Sequence, residues 1–233
     1  MSTFVLVHGA WHGSWCWERV VERLKARGHR VFAPTMTGLA ERAAEMSRDI
    51  NLDTHVADIV GVIERENLRD VVLVGHSYGG WVISGVAEKV EPRIRSLVYL
   101  DAFVPENGQR GLDLQPPELK EQTLKLLKDG AVSRPPPSAE WFCVNEKDRA
   151  WVDRMTTPQP LAIALQPIKL TGARERIAKK SYIRAIGMPN PGFDKAQAAL
   201  KGKPGWTNYD VPCGHNVMVD MPDKLVEILE VEA

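Results

Sequence analysis

The chain is poor in cysteine: Cys16, Cys143 and Cys213 are all it has among 233 residues. They are odd in number, widely spaced and without a C-x-x-C pair, which excludes a disulfide framework and a cysteine zinc site. Net charge is also lacking, with 30 basic residues against 30 acidic ones. That removes the electrostatic footprint of a nucleic-acid or acidic-membrane binder. No run of about eighteen apolar residues occurs, so no membrane-spanning helix is expected. The start, Met1-Ser2-Thr3-Phe4-Val5-Leu6-Val7, has no basic segment and no long apolar stretch after it. It reads as a first strand and not as a signal peptide, and a cytoplasmic location is the simplest expectation.

What is present is an ordinary globular composition, 44% apolar and 26% charged, in a length that suits one domain with a modest insertion. Short apolar runs alternate with helical patterns. Phe4–Val7, Arg30–Ala33, Val71–Val74 and Leu97–Leu100 read as strands. Val71-Val72-Leu73-Val74 has no polar alternation, as expected for a parallel strand covered on both faces. Between the strands, Val20, Val21 and Leu24 share one helical face, with Gly28 after them as a C-terminal stop. Val56, Ile59, Val60 and Ile63 mark a second helix, with Asp53 or Thr54 expected as its N-cap. Val82, Ile83 and Val86 mark a third.

The rhythm breaks between residues 106 and 178, where Pro116-Pro117, Pro135-Pro136-Pro137 and Thr157-Pro158-Gln159-Pro160 fall. The segment is too long for a plain loop. It reads as a cap with helices near Leu119–Leu127 and Asp148–Met155, inserted into a core of residues 1–105 and 179–233. Tyr182–Ile186 and Thr207–Val211 resume the strands, and a helix with Pro222 at its first position closes the chain. Six strands with helical crossovers predict a doubly wound, mostly parallel α/β sheet.

Three stretches carry chemistry. Gly75-His76-Ser77-Tyr78-Gly79 follows a buried strand and opens a helix. A nucleophilic serine needs that strand-to-helix turn, with small neighbours to relieve crowding and a helix N-terminus near the developing oxyanion. His8-Gly9-Ala10-Trp11-His12-Gly13 follows the first strand, where a second oxyanion donor belongs. The backbone N–H groups of Ala10 and Tyr78 are the candidates. His8 and His12 are expected to orient that loop, without a metal, because no acidic or cysteine partners cluster with them. Gly214-His215-Asn216 follows the last strand, which makes His215 the candidate base. His29 in a turn, His55 opening a surface helix and His76 in the elbow fit that role less well.

Together these stretches resemble the small α/β-hydrolase family that contains plant methylesterases, hydroxynitrile lyases and bacterial esterases, over essentially the whole chain. The resemblance implies an α/β-hydrolase fold with an inserted cap, no cofactor, and an apolar pocket for small or aromatic esters; some bacterial relatives hydrolyse pyrethroid-type esters. The expected partner is a small-molecule ester, with neither nucleic acid nor membrane, and a homodimer is left open. The sequence departs from the family at the triad acid. The usual place, near Ile186-Gly187-Met188-Pro189, holds no carboxylate. Asp101, at the end of the fourth strand, looks like the acid of haloalkane dehalogenases and some lipases. It is favoured over Asp194, the alternative.

Hydroxynitrile lyases of this family carry a threonine and a lysine where this chain has Gly9 and Asn216, which argues against cyanohydrin cleavage. Dehalogenase and epoxide hydrolase chemistry needs a carboxylate nucleophile, which Ser77 is not. A non-catalytic binding member of the fold is the third reading. Trp11, Phe103, Trp141 and Trp151 are the expected pocket residues. Phe142, Met155, Leu161 and Leu165 add further apolar surface from the cap.

Overall fold

The computed structural model describes residues 1–115 and 117–233. Pro116, part of the proline signal noted above, lies outside the described residues. The main sheet is built from β1 (Thr3–Val7), β2 (Arg30–Phe32), β3 (Val71–His76), β4 (Ile94–Leu100), β7 (Lys179–Ala185) and β8 (Trp206–Val211). Their order is β2-β1-β3-β4-β7-β8, every neighbouring pair parallel. The crossovers are α1 (Glu18–Ala26), α2 (Leu52–Arg65), α3 (Gly79–Val90) and α7 (Pro191–Leu200), with α8 (Val217–Asp220) and α9 (Pro222–Glu232) after β8.

The apolar strand runs explain why both sheet faces are covered. Side chains alternate along a strand. Val5, Val7, Leu73, Leu97 and Tyr99 pack on one side with Ile59 and Ile63 of α2 and Val82 and Val86 of α3. Phe4, Leu6, Val72, Val74, Val98 and Leu100 pack on the other with Val20 and Leu24 of α1 and Val226 and Leu229 of α9. The winding reverses between β1 and β3, which makes their carboxyl ends the switch point of the sheet. Ligands of open α/β sheets bind at such a point. The loop after β1 and the turn after β3 carry two of the three chemical stretches.

Local signals account for the helix ends. Gly28, at φ 82°, follows α1, and His29 N–H reaches back to Leu24 O, as a left-handed stop requires. The cap of α2 is not Asp53 or Thr54 but Asn51. Its side chain accepts from Thr54 N–H, and Thr54 Oγ1 accepts from Asn51 N–H. The reciprocal pair forms because Thr54 stands at the third helical position.

The long segment between β4 and β7 carries α4 (Pro117–Lys128), α5 (Glu146–Met155), α6 (Ala173–Arg176) and a two-stranded antiparallel ladder of β5 (Ser133–Arg134) and β6 (Gln159–Pro160). Among the described residues, no helix is long and apolar enough to cross a membrane.

Candidate active site

Ser77 sits between β3 and α3 with φ 53°, a left-handed conformation that costs a non-glycine residue about 1–2 kcal/mol. Three hydrogen bonds hold it there. Its N–H donates to Leu100 O (3.1 Å), and its carbonyl accepts from Gly80 N–H (3.0 Å) and Phe103 N–H (3.2 Å). A Cβ at Gly80 would lie 2.0 Å from Phe103 O, so the turn closes only with glycine there. From Val71 to Ala87, Ser77 alone is not buried. The elbow lifts this one side chain out of the core.

The loop after β1 lies directly against it. A Cβ on Gly9 would be 3.0 Å from Ser77 Cβ and 2.8 Å from His76 Nδ1. The N–H groups of Ala10 and Tyr78 donate to no acceptor among the described residues. His8 and His12 brace the loop. Their Nδ1–H groups donate to Gly9 O (2.8 Å) and Ala10 O (2.7 Å). His8 Nε2 accepts from Met36 N–H, and His12 Nε2 from the Asn216 amide, both at 3.0 Å. Burial lowers their pKa values to about 3 and about 4, so both rings stay neutral acceptors.

His55 is a correction. It does not open a surface helix but is fully buried inside α2, because the helix starts earlier and turns this position inward. Its Nε2–H donates to Thr37 O (2.9 Å), and its Nδ1 accepts from the Tyr78 hydroxyl (3.0 Å). Burial holds its pKa near 4. It thus orients the residue after Ser77.

His215 stands in the loop between β8 and α8. Its Nδ1–H donates to Asp101 Oδ2 at 2.5 Å, which leaves Nε2 as a free acceptor. Its ring lies nearly parallel to Phe142 (centroids 5.8 Å apart) and Phe193 (5.7 Å). Asp101 is fully buried at the carboxyl end of β4, with φ 43°. Its other oxygen, Oδ1, accepts from Arg184 Nη1 (2.8 Å) and Ala185 N–H (3.0 Å). Asp194 does not touch His215. It accepts from Arg184 Nε at 2.8 Å, and its side chain is 60% exposed.

Arg184 is the residue that sequence reasoning missed. It is 2% exposed, and it also donates to the carbonyls of Ala185 and Met188. Its guanidinium therefore occupies the end of β7, where the sequence holds no carboxylate. An arginine in a strand carries no local signal of burial; pairing with Asp101 across the sheet offsets the desolvation of its charge.

The four expected pocket residues do not converge. Phe103 is 5.0 Å from Phe193, and Trp11 is 6.0 Å from Phe142, so both border the rings beside His215. Trp141 is 55% exposed with its edge on Phe142, and Trp151 packs 5.1 Å from Trp15 beneath Arg19. Phe142 and Phe193 stack on the ring of His215.

Residues 4–228 match the profile described as "Alpha/beta hydrolase family". The chain belongs to the α/β hydrolase family. It is 45% identical to a carbendazim hydrolyzing esterase of Nocardioides sp. (strain SG-4G), over 98% of both chains. It is 28% identical to methylesterase 10 of Arabidopsis thaliana, over 77% of this chain and 70% of that one. An extracellular α/β-hydrolase from a Paenibacillus species superposes with a TM-score of 0.85 at 23% identity, covering 100% and 99% of the two chains. At that identity the likeness shows the fold alone.

The buried histidines of this α/β hydrolase work as hydrogen-bonding struts. His76, whose pKa burial lowers strongly, donates through Nε2 to His215 O (3.0 Å) and so ties the turn after β3 to the loop of His215. His215 N–H donates to Phe142 O (2.9 Å), which ties that loop to the long segment between β4 and β7.

Proposed function

We propose that the chain is a serine carboxylic-ester hydrolase that acts on small apolar or aromatic esters through an acyl-enzyme. The observation that carries this reading is the 2.5 Å contact from His215 Nδ1–H to Asp101 Oδ2, at the same end of the sheet as Ser77. With Nδ1–H held by Asp101, Nε2 is the ring nitrogen left to take a proton, as a general base needs.

In the proposed reaction Ser77 Oγ attacks the ester carbonyl and His215 Nε2 takes its proton. The N–H groups of Ala10 and Tyr78 receive the oxyanion, and two unpartnered backbone donors beside a left-handed serine support that role. The imidazolium returns its proton to the leaving alkoxide. Water, activated by His215, then frees Ser77 and releases the acid. Asp101 holds the ring and balances the imidazolium, and Arg184 with Ala185 N–H holds Asp101.

Residues 106–178 serve as the cap, and Phe142 from it and Phe193 from α7 wall the base with apolar surface. The esterase and methylesterase relatives support an ester as the small-molecule substrate. A cytoplasmic setting suits three free cysteines. Lyase chemistry of the hydroxynitrile type fits less well, because Asn216, next to the base, is buried and commits its amide to His12.

A fluorophosphonate probe tests the reading together with p-nitrophenyl butyrate. Labelling of the native protein that disappears in Ser77→Ala, with turnover that disappears alongside it, is the expected result. No labelling, or equal labelling of Ser77→Ala, overturns the hydrolase reading, and no labelling favours a binding member of the fold.

A further inference from the structure

Trp11, directly after the candidate oxyanion donor, has φ 63° and is gripped by the inserted ladder. Its N–H donates to Gln159 Oε1 (2.7 Å), its carbonyl accepts from Thr157 N–H (2.9 Å), and its indole Nε1–H donates to Arg134 O (3.2 Å). The Arg134 guanidinium lies 4.7 Å over the indole ring. Arg134 and Gln159 are direct partners across the ladder. Side chains at such paired positions stand on one face of the ribbon, about 5 Å apart at Cβ.

Both carry donors without acceptors. Gln159 is 3% exposed, its Oε1 is committed to Trp11, and its Nε2 has no partner among the described residues. Arg134 Nη1 is buried and has none either. Burial alone moves the Arg134 pKa, downward, with no carboxylate opposing it. A buried amide N–H without an acceptor loses its hydration uncompensated, and a charged donor loses more. Two such groups on one face, one of them cationic, are costly for folding and suited to an acceptor that arrives with a ligand. The bond from Gln159 to Trp11 fixes their place: Nε2 lies within about 9 Å of the Ala10 N–H.

We propose that Arg134 and Gln159 form a substrate subsite for a carboxylate carried on the ester, a few bonds from the reacting carbonyl. This rests on the esterase reading above. Arg134 provides the charge and Gln159 Nε2 a second, directional donor. The same Gln159 amide holds the oxyanion loop through Trp11, so a ligand drawn to Nε2 is registered against the reacting carbonyl.

The test compares methyl hydrogen glutarate and methyl hydrogen adipate with methyl pentanoate and methyl hexanoate, following methanol release. The expected result is a preference of about tenfold or more in kcat/KM for at least one acid ester, seen chiefly in KM. Arg134→Met, which keeps the stem over Trp11, should bring that ratio within about twofold of unity, and Arg134→Lys should retain part of it. A ratio at or below one in the native protein, or an unchanged ratio in Arg134→Met, overturns the subsite. If Ser77 labels with fluorophosphonate and the neutral esters turn over without that preference, the subsite is wrong and the esterase reading stands. Labelling without turnover of any of the methyl esters also overturns the subsite. Absence of both labelling and turnover overturns both.

Discussion

Replacing Asp101 with asparagine should disable the base through a tautomer switch, and the surroundings of Asp101 say why. Oδ1 receives two donors, Arg184 Nη1 and Ala185 N–H, so the substituted amide must keep its carbonyl oxygen on that side. Its NH2 group then faces His215 Nδ1, where the native carboxylate accepts a proton at 2.5 Å. Two donors cannot face each other, so His215 must move its proton to Nε2. The nitrogen that should take the serine proton is then blocked.

Loss of the correct tautomer lowers kcat by about 10⁴-fold in serine triads. The expectation here is therefore a fall of about three to four orders of magnitude on p-nitrophenyl butyrate, with KM changed far less. Fluorophosphonate labelling of Ser77 should slow in parallel. Removal of the carboxylate also leaves buried Arg184 with Asp194 as its one remaining ion-pair partner among the described residues. A broken buried pair costs about 3–5 kcal/mol, so thermal melting has to establish the folded fraction before kcat is normalised. Asp194→Asn is the control. Its side chain is mostly exposed and acts only on Arg184 Nε, so kcat should change by less than about threefold and stability by less than about 1 kcal/mol. A mild Asp101→Asn with a severe Asp194→Asn refutes the assignment, and equal effects refute the route through Oδ1.

Three further expectations follow from the packing. Gly80→Ala drives a methyl group to 2.0 Å from Phe103 O and should lower stability by about 1–3 kcal/mol in urea melts; an unchanged midpoint means the elbow can yield at that contact. Asn51→Ala removes the cap of α2 and should cost about 1 kcal/mol with kcat unchanged, also read by urea melts. His8, His12 and His55 have folded pKa values of about 3, 4 and 4, below the unfolded 6.5. Below 6.5 the unfolded chain binds protons that the folded one does not, so stability is full above pH 6.5 and falls toward pH 4. The slope is up to about 1 kcal/mol per pH unit for each ring. Urea midpoints measured at neutral and at mildly acidic pH should show the loss, and equal midpoints contradict the neutral, buried rings.

The apolar runs of β1, β3 and β4 determined the fold by themselves, because a strand covered on both faces has no polar positions to confuse its reading. The order of Gly75–Gly79 and Gly214–Asn216 along the chain singled out Ser77 and His215, since a strand-to-helix turn and a strand-end loop are local features. Asp101 and Asp194 both precede His215, so chain order could not separate them. Only the tertiary structure puts Arg184 between the two carboxylates, with Asp101 facing the imidazole and Asp194 facing water. The same holds for His55, for the rings of Phe142 and Phe193 against His215, and for Arg134 and Gln159 over Trp11. Each of these depends on a contact between segments distant in sequence, and a side chain's own neighbours in the chain carry no information about which face of another element it will meet.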